Sequence, residues 1–294
     1  MQRATRIPIA GVLSPVYHVS ETSSTLDLAA ALLADTTTAT PHLTTIIAAS
    51  QSAGRGRLGR TWTTPDGQAL LASTIVSLPT SFPTEMLGWL VHACALSVRD
   101  ALSPRLSPLG HTVSLKWPND VLVDGARKIC GILAQLAPAS SPFTTSAILG
   151  YGINIAQDSD HLATPQATSL YAEGDAEAGA DPTSVSHTLL AQILAGLDSR
   201  IRGLIAHGNA RDCGLADEAA NALPLLGTRI ALAKPTDPNG HPAMEGVALG
   251  LSPTGSLLVA TDDGRTHDIN AGDVLATGIP LTTVHDTKEK RANN

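Results

Sequence analysis

The feature that most restricts the fold is a change of rhythm near residue 225. Beyond it, short β-type runs follow one another at 228–233, 244–250, 256–260, 265–269 and 273–276. Turn sequences separate them: Asp237-Pro238-Asn239-Gly240, Pro253-Thr254-Gly255 and Asp262-Asp263-Gly264. Strands this short, at this spacing, predict a small barrel. Before residue 225 the apolar runs are longer and are interspersed with segments of helical spacing, so the chain combines helices and strands, α+β in content, in a larger unit followed by a smaller β unit. The expected boundaries are an N-terminal extension over 1–15, a large unit over 16–222, the small barrel over 223–280 and a disordered tail over 281–294.

Within the large unit, Val16-Tyr17-His18-Val19-Ser20 reads as a strand. Ser23 or Ser24 is placed to cap a helix over Thr25–Ala34. A buried strand is expected at 44–50, a Gly/Arg loop at 51–67 and another strand at 69–78. Met86, Leu87, Leu90, Cys94, Leu96 and Val98 recur at helical spacing and predict a helix over 84–101, ended by Pro104 and Pro108. Strands follow at 112–117, 121–123, 129–137 and 145–154. The polar stretch 156–182 reads as a mobile loop, and 183–207 as a second long helix.

Composition excludes several classes. The net charge of −7 argues against bulk attraction to nucleic acid, so an anion site must be a local inversion of sign. Cys94, Cys130 and Cys213 are too few and too scattered for a disulfide framework, which suits a reducing cytoplasm. The ten histidines include no His-Glu-x-x-His, and no protein cage for a metal ion is expected. No run approaches the roughly 20 apolar residues of a membrane span.

Three motifs carry chemistry. Gln51-Ser52-Ala53-Gly54-Arg55-Gly56-Arg57-Leu58-Gly59-Arg60-Thr61-Trp62 packs three arginines into six residues with no acid before Asp66. Glycines let backbone N–H groups approach a ligand, and guanidinium forks grip carboxylate and phosphate oxygens. Trp62 offers a flat face to a ring. A solvated basic turn is the plainer reading. The spacing matches neither the dinucleotide-binding glycine fingerprint nor the phosphate-binding P-loop.

The second motif is Lys116-Trp117-Pro118-Asn119-Asp120, followed by Lys128-Ile129-Cys130-Gly131-Ile132-Leu133. Two of the chain's five lysines sit here, flanking a β-turn expected at Asp124-Gly125. A hairpin would gather Lys116, Asp120 and Lys128. The ammonium groups could then offset phosphate charge. Asp120 could hold a lysine, bind Mg²⁺ or accept a proton from an incoming amine. A simple surface ion pair is the alternative. The third motif, Gly150-Tyr151-Gly152-Ile153-Asn154-Ile155, ends an apolar strand. Its glycines would let a ligand lie on the backbone, or would simply mark a strand-end bulge. Ser23-Ser24-Thr25 either caps a helix or binds a polar ligand group.

Together GRGRLGRTW at 54–62, KWPNDV at 116–121, KICGIL at 128–133 and GYGIN at 150–154 resemble the biotin–protein ligase family in order and spacing, over residues 16–277. The resemblance implies a class II synthetase-like mixed sheet packed with helices, and a C-terminal barrel similar to the src-homology-3 fold. It implies biotin contacts from Ser24, Thr25, Gln51, Gly54, Arg55, Gly56, Arg57, Lys128 and Gly131. It implies ATP contacts from Arg57, Arg60, Trp62, Lys116, Asn119, Lys128, Gly152 and Asn154. Catalysis would fall to Arg55, Arg57, Lys116, Asp120 and Lys128, with Mg²⁺ accompanying ATP.

The implied partner is the biotin carboxyl carrier domain of an acyl-CoA carboxylase. Neither DNA nor membrane is expected, and a weak homodimer is left open. Two departures stand out. The family's commoner Ser-Thr-Asn reads Ser24-Thr25-Leu26 here, which removes a polar group from position 26. Only about 15 residues precede the first expected strand, too few for the helix-turn-helix module that some members carry. A lipoate–protein ligase would show an Arg-Arg-x-Ser-Gly-Gly-Gly phosphate loop, which is not found. A non-catalytic sensor is disfavoured by the intact Lys116, Asp120 and Lys128.

Overall fold

The computed structural model describes residues 4–35, 37–141, 144–233 and 242–279. Two compact units emerge. One runs to Pro224 and includes Pro253–Gly255; the other comprises Leu225–Ser252 and the residues from Ser256 onward.

The first unit is built on β1 (Thr5–Ile7), β2 (Val16–Thr22), α1 (Thr25–Ala34), β3 (Thr45–Gln51), β4 (Ala69–Pro79), α2 (Gly88–Leu106), β5 (Val113–Lys116), β6 (Asp120–Val123), β7 (Arg127–Ser141), β8 (Thr144–Asn154), α3 (Ala176–Ala180), α4 (Pro182–His207) and α5 (Leu215–Asn221). Its eight strands form one mixed sheet in the order β1-β2-β3-β4-β8-β7-β6-β5. β2 and β3 are parallel, which the crossover through α1 allows, and the other pairs are antiparallel.

Strand alternation divides the sheet's side chains between two faces. On one face, Leu26, Ala29, Leu32 and Leu33 of α1 bury against Ile46, Ile75, Ala137 and Ile148. On the other, Tyr151 is buried and bonds Thr74. α2 packs along β5, β6 and β7, with α4 and α5 beside it. α4 starts where the Asp181 carboxylate accepts the Ser184 N–H, and ends at Gly208, whose φ of 71° closes the last turn.

Several elements depart from expectation. The segment 84–87 is a 3-10 turn, and α2 runs through Pro104 to Leu106. Proline removes one bond near the helix end, while fully buried Leu102 and Leu106 hold the final turn against the core. Ser24 stands at the N-cap of α1 but its side chain caps nothing. Instead Gln51 Oε1 accepts the Thr25 N–H at 2.7 Å and its hydroxyl at 3.1 Å. The stretch 156–182 is not an open loop: it holds a 3-10 turn at Ser159–His161 capped by Asp158, the helix α3, and a buried inner strip of Gln157, Thr168, Ser169 and Leu170. The edge strand β1 and the helix α5 were not anticipated.

The second unit contains β9 (Arg229–Ala233), β10 (Pro242–Leu251), β11 (Leu257–Ala260), β12 (Thr266–Ile269) and β13 (Asp273–Ile279), an antiparallel sheet in the order β12-β11-β10-β9-β13. The turn sequence Asp237-Pro238-Asn239-Gly240 and the tail expected over 281–294 lie outside the described residues.

Candidate active site

The three motifs meet on the α1 face of the large sheet. Gly150 and Gly152 of β8 and Gly131 of β7 leave that surface bare of side chains. An added Cβ at Gly150 would strike Leu26 at 2.8–3.0 Å, and one at Gly152 would strike the Trp62 indole at 2.5 Å. At Gly131 a Cβ would meet Lys128 Nζ and the Trp62 ring, each at 3.1 Å. The glycines expected to face a ligand therefore seat Leu26 and Trp62. Leu26 is a core residue, 4% exposed, which explains how an apolar side chain occupies the position of the commoner asparagine.

The loop 51–62 is tied down along its length. Its entry is joined to β2 by Ser52 N–H to Thr22 O and Ala53 N–H to Ser23 O, both 2.9 Å. Its neck is closed by Gly56 N–H to Arg60 O at 2.7 Å and Trp62 N–H to Gly54 O at 2.9 Å. A Cβ on Gly54 would lie 2.3 Å from Trp62 O, so only glycine permits that closure. Beyond the neck, Arg55 pairs with Asp27 of α1 at 2.5 Å, and Arg57 Nη1 donates to Asn119 Oδ1 at 3.1 Å. Leu58, at φ 58°, and Gly59, at φ 73°, turn the tip, with Leu58 and Arg60 exposed.

The lysine hairpins are two, not one. Trp117-Pro118-Asn119, with a cis Trp117–Pro118 peptide, joins β5 to β6, so Lys116 lies opposite Asp120. Asp124-Gly125, both with positive φ, joins β6 to β7 and sets Lys128 opposite Leu122. Trp117 is buried and anchors the first turn. Asn119 bridges to β7, its Nδ2 donating to Ile132 O at 2.7 Å. Lys128 Nζ sits 2.6 Å from Asp120 Oδ1 and 5.6 Å from the Trp62 ring centroid. Lys116 is half-buried and has no carboxylate at ion-pair distance among the described residues.

Ser24 and Thr25 are buried at the start of α1, where Thr25 Oγ1 also accepts a bond from Ser73 Oγ at 2.8 Å. Asn154 is buried, and both ends of its amide are engaged: Nδ2 donates to Thr168 O at 2.8 Å, and Oδ1 accepts from Gln157 Nε2 at 3.1 Å. It fastens the 157–168 segment to β8.

On the reverse face, Cys130 and Cys94 are fully buried. Burial pushes the Cys94 thiol up to about 12 and the Cys130 thiol well above its ordinary value. Asp27, Arg127 and Glu173 were not singled out from sequence. Arg127 had a local signal, its place beside Lys128; Asp27 and Glu173 had none.

His111, Asp124 and Glu173 are the one grouping of three metal-capable side chains among the described residues. Arg127 binds both carboxylates, so their oxygens are already engaged by a fixed cation. Asp120, next to the lysines, is taken by Lys128. The residues present thus fit a divalent ion carried by a nucleotide's phosphates rather than a protein-held one. Among the described residues no helix is long and apolar enough to cross a membrane.

Comparison with known proteins agrees with this geometry. A profile described as the biotin/lipoate A/B protein ligase family matches residues 19–154, and one for the biotin protein ligase C-terminal domain matches residues 236–275. A biotin–[acetyl-CoA-carboxylase] ligase of Mycobacterium tuberculosis is 34% identical over 78% of this chain and 77% of its own. The bifunctional ligase/repressor BirA of Bacillus spizizenii is 28% identical over 76% of this chain, which spans 63% of that protein's length. The biotin protein ligase from Aquifex aeolicus, solved in complex with biotin and ATP, superposes with a TM-score of 0.61 at 25% identity, over 88% of this chain and 97% of that one. The Mycobacterium tuberculosis relative, 34% identical and aligned over more than three quarters of both chains, shows that the chain belongs to the biotin–protein ligase family.

Proposed function

We propose that this protein activates biotin with ATP to biotinyl-5′-adenylate and pyrophosphate, then transfers the biotinyl group to a lysine of a biotin carboxyl carrier domain. The observation that carries the reading is the convergence of three separate motifs on one sheet face: Arg57 bonded to Asn119, Lys128 held between Asp120 and Trp62, and Gly152 beneath the Trp62 indole.

Two anions must meet in the first step, the biotin carboxylate and the α-phosphate. Arg55, Arg57 and Lys128 offset the charge that builds up between them, and Lys116 adds a positive charge on the pyrophosphate side. Ser24, Thr25, Gln51, Gly54, Gly56 and Gly131 line the biotin side. Trp62, Arg60, Asn119, Gly152 and Asn154 belong to the nucleotide side, with Gly152 and Asn154 supporting rather than touching the ligand. Mg²⁺ enters with ATP and supplies charge neutralisation on its phosphates.

In the second step the attacking amine must lose a proton. Asp120, 2.6 Å from Lys128 Nζ, is the carboxylate placed to take it. No enzyme-bound acyl group is needed. The glycine-tied loop excludes water from the adenylate, which would otherwise hydrolyse.

The catalytic part is assigned to residues 16–222. The part over 223–280 is assigned to a barrel similar to the src-homology-3 fold, supported by its sequential antiparallel strands and the C-terminal family match. A cytoplasmic site of action suits the free thiols. The deciding experiment incubates the full chain with biotin, ATP, Mg²⁺ and a biotin carrier domain, and reads the carrier's intact mass. A gain of one biotinyl group is expected; an unmodified carrier with no pyrophosphate released overturns the reading.

A further inference from the structure

Resting on that reading of Lys128, we infer that Glu173 is a positioning residue for the activating lysine, acting through Arg127. Glu173 lies between β8 and α3, far along the chain from the lysine motif, and its side chain is 6% exposed. Every part of the carboxylate is engaged. Arg127 grips it with both arms, Nε to Oε1 at 2.6 Å and Nη2 to Oε2 at 2.8 Å. Thr168 Oγ1 donates to Oε1 at 2.6 Å, and His111 Nε2 lies 3.3 Å from Oε2.

Arg127 also reaches Asp124 Oδ2 at 2.8 Å, in the turn that precedes it. Burial pushes the Glu173 carboxyl up, but the bonds from Arg127 and Thr168 outweigh it and hold it below the usual carboxylate range. The pair is therefore ionised at neutral pH, and its forked geometry fixes direction as well as distance.

The same segment holds the lysine's own backbone. Lys128 N–H donates to Gln166 O at 2.7 Å, and Lys128 O accepts the Thr168 N–H at 2.8 Å. Successive strand residues point to opposite faces. Clamping Arg127 from one side therefore sets the angle at which Lys128 leaves the other, toward Asp120 and Trp62. An activating charge displaced by about 1 Å costs on the order of a hundredfold in rate. Glu173 touches no reacting atom; its effect travels through the arginine beside the lysine.

The test compares the wild type with Glu173→Gln, Arg127→Met and the double variant, using biotin and Mg-ATP with no carrier. The pyrophosphate burst counts active molecules, and rapid filtration follows release of the adenylate from them. Positioning predicts that each single variant speeds adenylate release per active molecule at least tenfold, and that the double variant exceeds either by less than twofold. A merely structural role lowers the burst amplitude and the melting midpoint together and leaves that release rate within twofold of wild type, which overturns the inference. Should Glu173→Gln fail to fold, His111→Asn removes a single contact, and a release rate unchanged there overturns it equally. A wild type without a burst overturns the activation-site reading itself, and the inference falls with it.

Discussion

Replacing Gly152 by alanine asks whether the indole of Trp62 is held where a nucleotide needs it. The new Cβ would lie 2.5 Å from Trp62 Cε2, 2.6 Å from Nε1 and 2.8 Å from Cζ2. Carbon atoms rest at about 3.5–4.0 Å, so the ring must retreat by about 1 Å. The strand cannot give way, because Gly152 is paired with Leu71 of β4 on one side and Gly131 of β7 on the other. Moving the ring weakens its contact with the Lys128 ammonium, worth about 0.5–1 kcal/mol at an accessible site. Alanine in a strand recovers roughly 0.5–1 kcal/mol over glycine. The two nearly cancel, so folding stability should change by less than about 1 kcal/mol.

Binding should change more, since an aromatic face under a base is worth about 1–3 kcal/mol. Acrylamide quenching reads the displacement directly: Trp89 and Trp117 are 1% and 2% exposed, leaving Trp62 as the accessible fluorophore. Stronger quenching is expected, together with a KM for ATP raised at least roughly fivefold, as the lower end of that range implies. A folded variant with wild-type quenching and wild-type KM would refute the placement of Trp62 on the nucleotide side.

Arg57→Ala and Lys128→Ala should each reduce adenylate formation or retention at least about tenfold, or about 1.4 kcal/mol; near-wild-type burst amplitudes and release rates in both would remove them from the site. Leu26→Asn, which restores the commoner residue, should destabilise the fold by about 2–4 kcal/mol, because it buries an amide where Leu26 now packs on Gly150 and Ile148; chemical denaturation measures it, and an unchanged midpoint counts against the packing. Glu173 titrates below its ordinary 4.5 in the folded chain, so the stability it supplies is complete above that pH and is lost as pH falls through the lowered value. The melting curves of wild type and Glu173→Gln should therefore separate at neutral pH and converge as pH falls below the lowered value, and a gap independent of pH would contradict the ionised pair.

What could be read from the sequence divides along a physical line. Local signals succeeded where the chemistry is local. Asp124-Gly125 announced its hairpin because both residues tolerate positive φ, and the apolar run of β8 announced a strand. The charge inversion at 55–60 marked out the loop that the structure brings against Asp27 and Asn119. Local rules failed where a distant partner overrode them. Pro104 ends a helix in isolation, but Leu102 and Leu106 carry it another turn by burial.

Other failures have the same origin. Ser24 has the chemistry of a cap, yet Gln51, 26 residues after Thr25, takes the work from β3. Gly152 looked like a ligand seat because nothing in its own strand reveals that Trp62 folds back over it. Glu173 carried no signal at all, since its meaning depends on Arg127 arriving from the other side of β8. The stretch 156–182 looked featureless because its order comes from bonds to β7 and β8 rather than from a periodic pattern.

The burial of Cys130 has a consequence for chemical safety. A mixed anhydride between a carboxylic acid and AMP acylates thiolates faster than amines. Cys130 stands only two residues from Lys128, directly beside the glycine over which that anhydride would form. Because positions 130 and 131 face opposite sides of the sheet, a full β-layer separates the Cys130 sulfur from the face that carries Trp62 and Lys128. Its elevated thiol pKa leaves almost no thiolate at neutral pH. On the proposed placement of the adenylate, the sheet shields this thiol from self-acylation and leaves the carrier's lysine as the acceptor.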